Sequence, residues 1–328
     1  MTILLSGGSG FLGSHIAEQL SRAKRPVRAL VRRSSDTSFL ETLDGVELYE
    51  ASMSDLDGVV KAAQGCTAIV HCAGLVKARS EEEFNRVNVG GTENMLAAAR
   101  SIKGSLRRFV QVSSVTVGGP SGEQGAPVPT DAPPRPLTPY ARSKRAAERA
   151  CLAVKDELPI TILRPAAIYG PRDREILAIF KAVNMRLLPY MGSPQNKLSL
   201  IHGADCGAAC IAAIDADVPS GSVYALSDGR VHQFADLFDA IESALSKRAW
   251  VRFPLPERLV RAVALANEGY ARVTDQAVML TREKCNELFN QWVCDSAPAF
   301  ADLRWEPAID IRDGIKETAD WYRANGWL

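Results

Sequence analysis

The chain has 328 residues, enough for one large α/β domain or two smaller ones with an ample core. Apolar residues make up 46% and charged residues 23%, and the net charge is +1. That balance is ordinary for a globular protein and carries no electrostatic footprint of a nucleic-acid partner or an anionic membrane. The seven cysteines are odd in number and form no C-x-x-C pair, and there are only four histidines. They read as reduced, mostly buried thiols of a cytoplasmic protein with no metal site. The opening "MTILL" lacks a basic leader, and no run of ~18 apolar residues is long enough to span a bilayer.

The first half alternates strand and helix signals. "TILLS" (residues 2–6) is an apolar run ahead of glycines, and "GSHIAEQLSRAK" reads as a helix. "PVRALVR" and "GVELYEA" predict the next two strands, "LDGVVKAAQG" a helix and "TAIVHCAG" a fourth strand. "EEEFNRVNVGGTENMLAAARS" predicts one long helix, "RRFVQVSS" a fifth strand, "PYARSKRAAERACLAVKDE" another long helix and "PITILRP" a sixth strand. Such alternation predicts an α/β fold with a doubly wound, Rossmann-type parallel sheet. Residues 118–138 are rich in Pro and Gly and too long for a passive connection, so they read as a loop over a site. After residue 170 the spacing becomes irregular. Residues 1–170 are therefore expected to form the nucleotide-binding domain, with returns to its sheet from about 198–226. Residues 171–328 are expected to form mainly a smaller, interleaved substrate domain. Residues 256–273 are apolar at helical spacing and read as a core-facing or lid helix rather than a membrane anchor.

"SGGSGFLGSH" follows a strand and opens a helix, the setting of a dinucleotide loop. Glycines permit a tight turn and a close backbone approach to a pyrophosphate, and the helix N-terminus adds N–H donors. Two spacings overlap: Gly8/Gly10/Gly13 as G-x-G-x-x-G and Gly7/Gly10/Gly13 as G-x-x-G-x-x-G. The second strand ends in Arg32 and Arg33 with no acid. This favours NADP, whose 2′-phosphate suits guanidinium forks, over NAD. Tyr140 and Lys144 lie four apart on a predicted helix, where a cation beside a phenol would lower its pKa for acid/base work. Ser114 ends a predicted strand, the end at which open α/β sheets bind ligands.

Together these stretches resemble the extended short-chain dehydrogenase/reductases of the NAD(P)-dependent epimerase/dehydratase type. "SGGSGFLGSH", "VHCAG", "NVGGTENML", "VSSVTV", "PYARSK" and "LRPAAIYGPRD" each match a family motif in family order. The resemblance implies the Gly7/Gly10/Gly13 reading, with Phe11 and Leu12 lining the pyrophosphate turn. It implies that Cys72, Ala73 and Gly74 run along the cofactor and that Asn88 sits behind it, supporting the serine strand. It gives Tyr140 the proton transfer, Lys144 the nicotinamide ribose as well, and Ser114, rather than Ser113, the substrate oxygen. Pro165, Ala166 and Ile168 approach the nicotinamide, and Ser52-Met53 stand where the family often places Asp-Leu near the adenine. The family commonly dimerises through two long helices, here around residues 82–101 and 139–156, so a homodimer is expected.

The departures narrow the chemistry. No acid follows Ser114, which disfavours sugar dehydration. Ala167 and Leu198 stand where nucleotide-sugar enzymes carry Asn and the diphosphate-binding Arg. Ala166, Ala167, Leu187, Leu188, Tyr190, Met191 and Leu198 suggest an apolar pocket, similar to the branch of 3β-hydroxysteroid dehydrogenases and dihydroflavonol reductases. The expected function is an NADP-preferring oxidoreductase, with NAD possible, interconverting a secondary alcohol and a ketone on a small apolar substrate. The alternatives are a nucleotide-sugar epimerase with tightly bound NAD and a non-catalytic dinucleotide-sensing protein.

Overall fold

The computed structural model describes all residues except 123, 275–277 and 279; the side chains of 271–273, the end of the apolar stretch 256–273, also lie outside the described set. The first half runs β1 (Thr2–Ser6), α1 (Phe11–Arg22), β2 (Val27–Val31), β3 (Val46–Glu50), α2 (Leu56–Ala63), β4 (Cys66–His71), α3 (Glu81–Phe84), a π-helical turn (Asn85–Val89) and α4 (Gly90–Ser101). It continues with β5 (Arg108–Val112), α5 (Pro139–Leu152) and β6 (Ile160–Pro165). The second half holds β7 (Ala167–Tyr169), α6 (Leu177–Asn184), β8 (Leu187–Tyr190), β9 (Lys197–Leu198), β10 (Leu200–His202), α7 (Gly203–Asp215) and β11 (Ser222–Leu226). Then follow β12 (His232–Gln233), α8 (Phe234–Leu245), β13 (Val251–Pro254), α9 (Glu257–Thr274), α10 (Arg282–Leu288), α11 (Ala297–Leu303) and α12 (Ile311–Ala324).

Seven strands pair in the order β11-β6-β5-β4-β1-β2-β3, every pair parallel. Helices cover both faces, which is why the inner strands are nearly continuous apolar runs rather than alternating ones. Ile3, Leu5, Val70 and Val110 face α1 and α7; Leu4, Ile69, Phe109 and Ile162 face α2, α4 and α5. The strand order reverses between β1 and β4, and the crevice at their C-terminal ends is where such sheets bind ligands.

The long helix expected over residues 81–101 forms without interruption and carries a π-turn at Asn85–Val89. One expectation changes. The returns to the sheet expected from 198–226 are made by β11 alone: β9 pairs with β12 and β10 with β7, outside the central sheet. A third apolar cluster, with Tyr169, Phe180, Phe238 and Tyr322, lies among α6, α8 and α12. The long loop 118–138 is fastened to the segment before α11: Ser121 N–H donates to Gln291 O (2.9 Å) and Val128 N–H to Val293 O (3.2 Å).

Candidate active site

The glycine loop joins β1 to α1. Gly7 takes φ +78°, a left-handed conformation that L side chains rarely adopt, and a Cβ there would lie 2.7 Å from Ala73 N. A Cβ on Gly13 would lie 1.9 Å from Gly7 O. A Cβ on Gly8 would meet nothing closer than 3.4 Å, and its φ is unremarkable. The geometry thus demands glycine at Gly7 and Gly13 and not at Gly8. Gly10 N–H turns back onto Gly7 O (2.9 Å), and Gly10 caps α1 with no side chain and no acid in the first turn. Phe11 and Leu12 therefore open a helix whose N–H groups and dipole suit an anion. This cradle fits a dinucleotide pyrophosphate.

Beside it, β4 ends in Cys72-Ala73-Gly74. Ala73 N–H donates to Ser6 Oγ (3.2 Å) and Cys72 N–H to Ser6 O (3.3 Å), which brings this strand end against the glycine loop. Burial pushes the Cys72 thiol up to about 12, so it is a neutral, unreactive group. A Cβ on Gly74 would stand 3.2 Å from both Asn88 Oδ1 and Lys144 Nζ; the small residue leaves room for both.

Asn88 sits in the π-turn, almost fully buried. Its Oδ1 accepts from Leu75 N–H (2.7 Å), and its Nδ2 donates to Leu75 O (3.1 Å) and Ser143 Oγ (2.9 Å). Ser143 Oγ–H donates to Tyr140 O (2.7 Å). These side-chain bonds run to the β4 loop and to α5, not to the serine strand that Asn88 was expected to support. The π-turn widens the helix by one residue where Asn88 reaches inward, a common feature at functional sites.

Thr138 caps α5 by accepting from Ala141 N–H (3.2 Å), with Pro139 in the first turn. The helix carries Tyr140 and Lys144 on one face. Lys144 Nζ donates to Val112 O (3.0 Å) at the end of β5, and burial lowers the ammonium below the usual lysine range. Ser114 follows β5; its Oγ accepts from Thr116 Oγ1 (2.9 Å) and hydrogen-bonds the Tyr140 side chain. The expected acidification of Tyr140 by Lys144 is not what the surroundings produce. Burial, then the Glu287 carboxylate, hold the phenol above its ordinary range, and the Ser114 hydrogen bond only partly offsets them. Ser113 Oγ is buried with no hydrogen-bond partner.

Sequence reasoning missed the roof of this site. Arg142, two residues after Tyr140, pairs with Glu81 of α3 (2.7 Å) and Glu283 of α10 (3.3 Å), clamping α10 to the tyrosine helix. Glu287 of α10 is braced by Lys284 (2.7 Å). Its only sequence signal is an acid four residues after another in a short helix, a pattern that says nothing of Tyr140. Behind α5, the buried Glu148 carboxylate takes two 2.8 Å bonds from Arg164 of β6, whose third donor holds Thr130 O (3.0 Å).

The remaining expected residues are spread along the crevice. Arg32 and Arg33 are exposed just past β2, with no carboxylate partner among the described residues. Ser52 is exposed and Met53 half-buried, with Met53 O accepting from Asn94 Nδ2 (2.7 Å). Pro165 ends β6, Ala166 N–H donates to Leu226 O (2.8 Å), and Ile168 packs on the core beside α1. The expected apolar pocket is only partly a pocket. Leu188 and Leu198 are core residues, Tyr190 packs on that core, and Leu187 points outward from β8. A small recess beyond Ser114 is instead lined by Val115, Val128, Trp292 and Val293 and reaches Arg164.

Comparison with known proteins places this geometry. Residues 3–227 match the NAD dependent epimerase/dehydratase family. The chain is 31% identical to a ceramide reductase of Caulobacter vibrioides over 99% of its own length and 96% of that protein's. It is 30% identical to the 4-hydroxy-2-methyl-3-oxo-4-farnesyl-3,4-dihydroquinoline-1-oxide ketoreductase of Stigmatella aurantiaca, over 70% of this chain and 69% of that one. The UDP-glucuronic acid 4-epimerase of Bacillus cereus, solved with NAD, shares the fold at a TM-score of 0.79, 21% identity and 99% coverage of both chains. The chain belongs to the NAD dependent epimerase/dehydratase family and is an NAD-dependent enzyme of the extended short-chain dehydrogenase/reductase type.

Proposed function

We propose that the enzyme interconverts a ketone and a secondary alcohol on an apolar, non-nucleotide substrate, preferring NADP. The observation that carries this reading is the Ser114–Tyr140 pair beside buried Lys144, at the C-terminal end of β5 and next to the glycine cradle. The nicotinamide, when bound, supplies or accepts the hydride. Ser114 holds the substrate oxygen through its hydroxyl. Tyr140, kept protonated by burial and by Glu287, gives its phenolic proton to that oxygen in the reducing direction. Lys144, anchored on Val112 O on the same helix face as Tyr140, would hold the nicotinamide ribose. Arg32 and Arg33, free of acidic partners, support a 2′-phosphate.

A sugar-diphosphate substrate is poorly served. Leu198, where an arginine would be needed, is buried in the core, and Lys197 is turned to Gln124 O (3.0 Å). The names of the two relatives, a ceramide reductase and a ketoreductase of a farnesylated quinoline oxide, support a lipid-like carbonyl compound. The test is NADPH oxidation with long-chain ketones and 3-oxosteroids, set against UDP-glucose. Tyr140→Phe is expected to lose about 10²–10⁴-fold in kcat. Undiminished activity in that variant overturns the proposal. Turnover of UDP-glucose, with NAD released on denaturation, would establish the epimerase reading in its place.

A further inference from the structure

The helix α9 is built inside out. Its inward stripe, Val260 and Ala264, packs on Cys285 of α10. Arg261 is held by Glu257 (2.7 Å) and Asn286 (2.9 Å), and Glu268 by Arg282 (3.0 Å), so the polar residues lie along the seam with α10. The outward face is left with Leu259, Ala262, Val263, Leu265, Ala266, Gly269 and Tyr270, interrupted by Arg258. Leu259 is 54% exposed, Val263 44%, Leu265 56% and Tyr270 54%. At 100° per residue, Leu259, Val263 and Tyr270 fall within a ~40° arc, with Ala262 and Ala266 beside it. Immediately upstream, the β8–β13 ribbon exposes Val251 and Phe253, and Trp250 is 80% exposed with Arg186 stacked on its ring. Exposed apolar side chains gathered along one helix face mark an interaction site.

We propose that this face docks on an anionic lipid bilayer surface, with α9 lying in the headgroup plane. Charge selects the occupant. The whole chain is nearly neutral; here Arg252 is paired with Glu242 and Asp239 and Arg261 with Glu257, which leaves Lys247, Arg248 and Arg258 without a carboxylate among the described residues. A second copy of the chain would set this cationic patch against itself across a two-fold axis, which like charges oppose. An anionic headgroup layer satisfies the arginines while the acyl boundary takes the leucine, valine and ring carbons. Trp250 and Tyr270 are of the amphipathic type that settles at that boundary. Because α9 packs on α10, and α10 is clamped to the Tyr140 helix through Arg142–Glu283, the docked face lies on the module that roofs the active site. This docking does not depend on which carbonyl compound is turned over.

The test is co-sedimentation of the full chain with vesicles of phosphatidylcholine doped with phosphatidylglycerol, and with phosphatidylcholine alone. Binding to the doped vesicles is expected, weaker binding to the neutral ones, and a decline with added salt. The double variant Leu259→Asp/Val263→Asp should lose about ten-fold or more in partitioning. The charge reversal Arg258→Glu should weaken binding to the doped vesicles only. Both variants change exposed residues, so thermal midpoint and NADPH binding should stay as in the parent. The proposal is overturned if the parent protein stays in the supernatant, or if the double variant sediments equally well. It is also overturned if the parent is a dimer that the double variant converts to monomer with no vesicle binding in either.

Discussion

Asn88 Nδ2 donates to Ser143 Oγ at 2.9 Å, and that hydroxyl in turn donates a hydrogen bond to the carbonyl of Tyr140 at 2.7 Å. One amide in a π-turn is thereby tied to the first turn of the helix that carries the phenol. Its other bonds hold both backbone groups of Leu75, in the loop after β4. Replacing Asn88 by Ala leaves these buried partners unpaired, at a cost of about 2 kcal/mol or more. The thermal midpoint should fall, and kcat should fall about ten-fold as Tyr140 loses its positioning. Asn88→Asp keeps the acceptor for Leu75 N–H and loses the donors, so it should lie between the two. An Asn88→Ala enzyme with parental midpoint and kcat would remove Asn88 from this role.

The two glycine spacings make opposite predictions at one position. Gly13→Ala puts a methyl 1.9 Å from Gly7 O, which only a backbone shift can relieve, and that shift spoils the cradle. NADPH affinity should drop about 100-fold or more, measured by nucleotide fluorescence titration. Gly8→Ala meets its neighbours at 3.4 Å, ordinary contact, and should bind nearly as well as the parent. Equal losses in both variants would contradict this reading of the turn.

Cofactor preference should rest on the strand end rather than on the loop. Arg32→Glu/Arg33→Glu removes two unpaired guanidiniums from the crevice end of β2. The KM for NADPH should rise about 10–100-fold, the worth of one or two charge-assisted phosphate bonds, with that for NADH little changed. A parallel rise for both nucleotides would place the 2′-phosphate elsewhere.

Stability should fall on acidification, and the sign follows from three buried histidines. Burial lowers His71 to about 3 and His202 to about 4, and holds His15 well below its ordinary value, with Arg172 adding to the effect on His15 and His202. The unfolded chain binds protons near pH 6.5 that the native state refuses. Each histidine therefore removes up to about 1.4 kcal/mol per pH unit below 6.5. Asp173 works in the other sense. Burial raises its carboxyl to about 6, so its contribution is full below the unfolded aspartate range and is lost as pH rises through about 6. Asp173→Asn should thus raise the thermal midpoint at pH 7 and leave it nearly unchanged at pH 4. A midpoint flat between pH 6.5 and 5 in the parent would refute the histidine argument.

Much of the nucleotide half could be read along the chain because its signals are local. Strand β1, the glycine turn and α1 are contiguous, and their steric demands fall on Gly7 and Gly13, a few residues apart. Tyr140 and Lys144 share a face by helical period alone, with Thr138 and Pro139 marking where that helix begins. The apolar pocket was misjudged because Leu187, Leu188 and Leu198 look alike in sequence, whereas packing puts two in the core and turns one outward.

The sequence by itself determined the doubly wound parallel sheet, the glycine turn between β1 and α1, and the helix that puts Tyr140 and Lys144 on one face, because strand and helix periods and glycine sterics act over a few residues. Only the tertiary structure decided how those groups behave. It brought Glu287, 147 positions beyond Tyr140 in the numbering, close enough to add to burial in raising the phenol above its ordinary range. It set a π-turn within a long helix at Asn88, where one amide bonds two elements. It also turned Glu268 and Arg261 of α9 onto Arg282 and Asn286 of α10, with apolar residues on the opposite face. Electrostatic and packing energies depend on distance in space, and separation along the chain does not report that distance.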